Sequence, residues 1–412
     1  MKQTFFISLI LSFPQHLFAQ NTEHFIYGTI YTIDDKSYTG TIRWDDEEVF
    51  WSDFFNATKP ANKYHEYLDE SNMVKSIQKW FSWDSDEDEE HENHMAMHKQ
   101  SDELVHIWVC QFGDIQTLQI TGREKVDLTL KNGDLYHLSG GSNDLNTEIN
   151  IMDTKLGELT LQWDRIKRVD FSKTPDNLST TWGNPLFGTV YTTKGEFTGF
   201  IQWDHDERLT IDKLDGRTVD GEISIDFGNI QSITKTENGS LISLNSDREI
   251  NLSGSNDVNE KNRGIVVTID DLGRVDIPWS IFKKLEFTDA GRNALPSYLS
   301  FKKPAPLSGK VVRKDGTSVS GRLAYDLDEE MDFEMIQGKD EDLEYSVIMK
   351  NISKITPKNF SYSQIDLKNG KTLLIGGSHD VSEYNSGVLI FENEKQEPSH
   401  VKWNNVKEVV FN

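Results

Sequence analysis

Residues Phe187–Glu207 read FGTVYTTKGEFTGFIQWDHDE, two β segments joined at Lys194–Gly195, a turn dipeptide whose glycine tolerates positive φ. The phrase occurs twice more, as YGTIYTIDDKSYTGTIRWDDEE from Tyr27 to Glu48 and SGKVVRKDGTSVSGRLAYDLDEE from Ser308 to Glu330. Gly28, Gly188 and Gly309 align, and so do Gly40, Gly199 and Gly321. The chain therefore contains three long repeats, beginning near Ile26, Leu186 and Leu307.

A shorter period lies underneath. Six times an aromatic or Met is followed three residues later by an aliphatic or Phe, and after three more by another aliphatic. The triples are Phe112, Ile115, Leu118; Trp163, Ile166, Val169; Phe227, Ile230, Ile233; Trp279, Phe282, Leu285; Met349, Ile352, Ile355; and Trp403, Val406, Val409. Period-2 alternation precedes them, as in Ile223, Ile225 and Phe227, which marks a strand with one buried face. The step of three predicts a tight 3₁₀ turn before the next strand. Strand, helical turn and closing strand resemble the end of a five-stranded SH3-like or Sm-like barrel. On that resemblance the expected fold is all-β: three tandem long repeats, each a pair of small barrels, six half-units in all.

The halves also align by their loops. SLISLNSDREINLSG, from Ser240 to Gly254, repeats the strand, polar turn, strand layout, with its turn at Ser246–Asp247. Superposing the halves places WDHDE of one against GSNDVNE of the other, both acidic loops leading into a third strand.

Composition bounds the rest. A chain of 412 residues with 36% hydrophobic and 11% aromatic residues has apolar material for several small cores. A formal charge of −25 repels phosphate backbones, so nucleic acid is excluded as a partner class, and cations or basic surfaces are favoured. The start, MKQTFFISLILSFPQHLFAQ, reads as a signal peptide cleaved near Ala19 or Gln20, which predicts a periplasmic or secreted protein. Its apolar run falls short of the ~20 residues needed to cross a bilayer, and no other stretch reads as a transmembrane segment. Cys110 is the only cysteine, so no intramolecular disulfide framework exists.

The expected boundaries are 1–20 for the signal peptide, 21–172, 186–288 and 307–412 for the repeats, and 173–185 and 289–306 for linkers rich in Pro, Gly and polar residues. The first repeat carries an insertion read as 49–103, aromatic at its start, helix-like or disordered in its middle and acidic at its end. An element absent from the other five half-units is a natural place for specific function.

Four groups of residues are candidates for chemistry. His91, His94 and His98 fall at offsets of three and four, which on a helix puts them on one face, with Met95 and Met97 adding thioethers for a divalent metal. The loop acids Asp45, Glu47 and Glu48, Asp204, Asp206 and Glu207, and Asp326, Asp328 and Glu329 offer hard oxygens for Ca²⁺ but match no EF-hand, and read instead as loop solvation with Asx-type bonds that fix the turn. Ser142, Asn143 and Asp144, Ser255, Asn256 and Asp257, and Ser378, His379 and Asp380 are short polar side chains suited to bonding nearby backbone, and read as structural loops. Trp51, Phe54, Phe55, Trp80, Phe81 and Trp83, in the insertion, form a contact patch if exposed together. Trp163, Trp279 and Trp403, as members of the apolar triples, read as core.

No nucleophile elbow, HExxH or phosphate loop occurs. The expectation is an exported, non-catalytic β-repeat protein that holds a protein or glycan ligand and requires no cofactor. The alternatives are a metal-binding envelope protein centred on the His-rich insertion and a hydrolase using loop carboxylates. Oligomeric state is left open.

Overall fold

The computed structural model describes residues 22–59, 64–67, 106–140, 144–178, 182–291, 294–393 and 397–412. They form an all-β protein of antiparallel sheets whose helical elements are 3₁₀ turns. Among the described residues no helix is long and apolar enough to cross a membrane.

The first repeat supplies β1 (Tyr27–Thr32), β2 (Ser37–Trp44), β3 (Phe54–Lys59), β4 (His106–Gln111), β5 (Ile115–Gly122), β6 (Lys125–Leu130), β7 (Leu135–Ser139), β8 (Ile149–Asp153), β9 (Gly157–Leu161) and β10 (Ile166–Phe171). The second supplies β11 (Phe187–Thr192), β12 (Glu196–Trp203), β13 (Lys213–Thr218), β14 (Gly221–Asp226), β15 (Ile230–Thr236), β16 (Gly239–Leu244), β17 (Glu249–Leu252), β18 (Ile265–Ile269), β19 (Gly273–Ile277) and β20 (Phe282–Phe287). The third supplies β21 (Ser308–Arg313), β22 (Ser318–Tyr325), β23 (Met335–Asp340), β24 (Leu343–Ile348), β25 (Ile352–Pro357), β26 (Tyr362–Leu367), β27 (Thr372–Gly376), β28 (Val388–Phe391), β29 (Ser399–Val401) and β30 (Val406–Phe411). Adding ten to a strand number therefore gives its counterpart in the next repeat.

The triples behave as the spacing predicts. Five of them open with a 3₁₀ turn, at Phe112, Trp163, Phe227, Met349 and Trp403, and the backbone N–H that follows each turn donates to the carbonyl of its first residue. At Trp279 the chain makes a simpler turn, closed by Ile281 N–H on the Pro278 carbonyl at 3.2 Å. All eighteen side chains are buried, and Trp163, Trp279 and Trp403 belong to the core.

Strand partners differ from the expected ones. The first repeat runs β4-β3-β7-β6-β5-β10-β1-β2-β8-β9, and the same pairings recur in the others except that in the second β13–β14 is a separate two-stranded sheet, touching β17 through the single bridge Arg217–Ser253. The middle five strands, β3 to β7, make one group; the first two and last three make the other, and β5–β10 joins them. Consecutive halves thus do not fold as separate barrels: β1 and β2 are completed by β8, β9 and β10, so one group is nested inside the other. Neither group closes, since no pairing joins β9 to β10 or β4 to β5.

The aligned glycines have a packing cause. Gly28 pairs with Gly40, Gly188 with Gly199 and Gly309 with Gly321, each pair held between two further strands. A Cβ at Gly199 would overlap the Thr268 carbonyl, and one at Gly188 the Glu286 carbonyl.

The 49–103 insertion begins too early in the sequence reading. Residues 54–59 are β3, paired with β4 as β13 is with β14, so the extra chain starts after Lys59. Trp51, Phe54 and Phe55 are correspondingly 0%, 4% and 0% exposed, and are core rather than a contact patch. Trp80, Phe81, Trp83, His91, His94 and His98 lie outside the described residues, as do Ser142 and Asn143.

The repeats also touch closely. The 289–306 segment, read as a linker, sends Tyr298 and Phe301 into the core of the first repeat. First and second repeats meet through Phe25, Phe50, Trp182 and Leu209 and through the pairs Arg208–Asp53 and Arg43–Asp212, both at 2.8 Å. First and third meet where Lys59 pairs with Asp328 and Glu334 at 2.7 and 3.2 Å. Second and third share a sheet, β19 pairing with β24.

Candidate functional site

The acidic loops come together with the SND loops three times, because nesting brings the second strand's end beside the loop after the seventh. At each end of β2, β12 and β22 the chain reverses at Asp45, Asp204 or Asp326, all at φ near +50 (51, 50 and 51), a conformation Asp adopts more readily than most residues. A further carboxylate caps the turn. Asp53 accepts the N–H groups of Val49 and Phe50, Asp212 those of Arg208 and Leu209, and Glu334 those of Glu330 and Met331, between 2.6 and 2.9 Å.

The SND aspartates bridge this turn to the third strand. Asp144, Asp257 and Asp380 accept the backbone N–H of Asn56, Asp215 and Gln337 at 2.5, 2.6 and 2.6 Å. Their own carbonyls accept from Trp44 Nε1, Trp203 Nε1 and Tyr325 Oη at 2.8, 3.0 and 2.6 Å, so the last residue of each second strand pins the loop. Ser255 Oγ accepts from Asp257 N–H, and Asn256 Nδ2 donates to Asp204. In the third repeat Ser378 Oγ donates to the Gln337 carbonyl and His379 Nδ1 meets Asp326 at 2.5 Å. Asp144, Asp257, Asp380, Ser255 and Ser378 thus each bond backbone, while Asn256 and His379 meet the turn aspartate.

Between the two loops lies a pair of buried or half-buried acids. Glu48, Glu207 and Glu329 each keep one carboxyl oxygen, Oε2, with no hydrogen-bond partner among the described residues. Burial raises Glu207 to about 9 and lifts Glu48 and Glu329 well above the ordinary range, and the neighbouring Asp257, Asp144 and Asp380 push in the same direction. Burial also raises Asp144 to about 7, Asp257 to about 6 and Asp380 to about 7. Each glutamate is thereby pushed toward its protonated form, because a second charge beside the aspartate would repel with little water to screen it. The Cys110 thiol, in the same first-repeat core, is 0% exposed and raised by burial, which fits packing rather than nucleophilic attack.

Among the described residues the donor set closest to a metal's needs is Asp326, His379 and Asp380, whose ligand atoms lie within 4.8 Å of one another. The residues first singled out for a metal, His91, His94 and His98, are not part of it.

Sequence reasoning missed two other features, both at sheet edges. β9 and β14 have no outer partner among the described residues, and each ends a hairpin turn bearing an exposed apolar residue, Leu156 at 68% and Val219 at 102%. An aliphatic side chain inside a polar two- or three-residue turn was the available signal. No family model, curated protein or solved structure matches the chain.

Proposed function

We propose that the protein is an exported, non-catalytic β-repeat module that binds another polypeptide by strand addition at its sheet edges. The observation that carries this reading is the β19–β24 contact, in which one repeat binds the next by adding strand to strand. The engagement of the loop carboxylates by backbone N–H groups favours a scaffold over a hydrolase, since those oxygens already hold turns. Export rests on the MKQTFFISLILSFPQHLFAQ start. Each five-stranded group is read as a small SH3-like unit assembled by strand exchange, a reading supported by the order β10-β1-β2-β8-β9 and the 3₁₀ turn before its last strand.

Selection from a random peptide display library, followed by hydrogen exchange of the chain with the winners, tests the reading. Extended peptides with alternating apolar residues that slow exchange in β14 or β9 support it. Selected ligands that protect only the acidic loops, or a glycan that does so, overturn it.

A second reading has its own observation, the Asp326, His379 and Asp380 cluster. It describes a divalent-metal site in the third repeat. Zn²⁺ that raises the melting temperature of the native chain but not of His379→Ala supports it; equal melting with and without Zn²⁺ removes it.

A further inference from the structure

We infer that two copies of this chain associate edge to edge, β9 of one pairing with β14 of the other, in the register that β19 and β24 adopt inside each chain. This rests on the strand-addition reading above and names its partner.

One such interface already exists inside the chain, between β19 and β24. Gly273 pairs with Val347, Arg274 with Ser346, Val275 with Tyr345 and Asp276 with Glu344. Leu272, in the turn before β19, is 5% exposed and lies in the shared core of repeats two and three. Gly273 has φ +132, and a Cβ there would overlap the Ser346 carbonyl, so the facing strand passes where a side chain would be.

Each surface has an unoccupied counterpart of identical length. The hairpin β8–β9 matches β18–β19 residue for residue, so Leu156 stands for Leu272 and Gly157 for Gly273. Leu156 is 68% exposed and a Cβ at Gly157 would meet open space. The hairpin β13–β14 likewise matches β23–β24, and the Arg217–Glu222 ion pair repeats Lys339–Glu344. Leu343, Tyr345 and Val347 of β24 are all buried, whereas Gly221 is exposed and Ile223 only partly covered. Transposing the register sets Gly157 opposite Ile225, Glu158 opposite Ser224, Leu159 opposite Ile223 and Thr160 opposite Glu222. It puts an apolar pair at the centre, with no like charges directly opposed.

The partner is a second copy because the complementary edges are both on this chain yet held apart within it. Repeats one and two are joined through their loops, by Arg208–Asp53 and the Phe50 and Leu209 cluster, and β9 does not pair with β14. Such a contact uses two different surfaces, so it propagates into a ring or an open filament unless one edge is blocked.

Sedimentation velocity of the purified chain over a wide concentration series tests this, alongside two variants. Leu156→Arg alters an exposed turn and leaves β14 intact. Ser224→Pro removes an outward-facing N–H from an edge strand, where proline is tolerated, and leaves β9 intact. The native chain is expected to gain mass beyond the monomer as concentration rises, each variant alone to stay monomeric, and an equimolar mixture to stop at a dimer. A native chain that is monomeric throughout, or variants that assemble as it does, overturns the inference. If the native chain is monomeric while selected peptides still protect β14, only self-association fails and the strand-addition reading stands.

Discussion

Glu207 shows what the recurring acidic loops contribute to the fold. Its carboxyl oxygen Oε2 is buried, and burial together with nearby Asp257 raises it to about 9. The folded value is raised above the usual 4.5, so this group's contribution to stability is complete below that value and is lost as pH rises through about 9. Asp144, Asp257 and Asp380 act in the same sense as pH rises toward about 7, 6 and 7. Carboxylates held low, such as Asp34 at about 2, lose their contribution only in stronger acid. Melting temperature is therefore expected to fall between about pH 5 and pH 9, and Glu207→Gln, which cannot ionise, to melt along a flatter pH profile. A native profile that is flat over this range contradicts the assignment. Trp203→Ala would remove a fully buried ring and the Nε1 donor to the Asp257 carbonyl, a loss of about 3–5 kcal/mol measurable by denaturant titration.

Among the elements, the hairpins and 3₁₀ turns were legible because they are local. Alternation at Ile223 and Ile225 marks a buried face, and the step from Phe227 to Ile230 marks the turn. Alternation does not say which strand lies alongside, and that is why β1 and β2 were grouped with β4 and β5 when their hydrogen bonds go to β8 and β10. The aromatic run FWSDFF disguised β3 for a similar reason. Its rings were counted as surplus because the loop before β3 is richer in aromatics than its counterparts, yet Trp51 donates to Thr174 Oγ1 at 3.0 Å deep in the first core. The candidate site was half legible. The SND residues announced their backbone bonds, but their meeting with the acidic loops depends on the nesting. The glycine pairs test that nesting at element scale: Gly199→Ala forces β12 off β18 at Thr268 and is expected to destabilise the chain, whereas Gly195→Ala, in a turn with open space around it, costs less despite its φ of +140. Equal melting temperatures for the two variants would contradict the packing described for Gly199.

At the scale of the molecule, the three repeats are one interlocked body. Lys59 is the plainest joint, set between Asp328 and Glu334 with 20% of its side chain exposed. Lys59→Met leaves two carboxylates facing each other without their cation and is expected to cost about 3–5 kcal/mol. The loss should appear as one lowered unfolding transition if the repeats melt together, and as two transitions if the joint is incidental. In the same body β19 and β24 cover each other while β9 and β14 stay open, and these two edges are where strand addition is proposed. Hydrogen exchange of the native chain, dilute and concentrated, tests this most directly. Slower exchange confined to Gly157–Leu161 and Gly221–Asp226 at high concentration is the predicted result; unchanged exchange at both strands, with protection appearing instead in the acidic loops on adding a divalent cation, would contradict it.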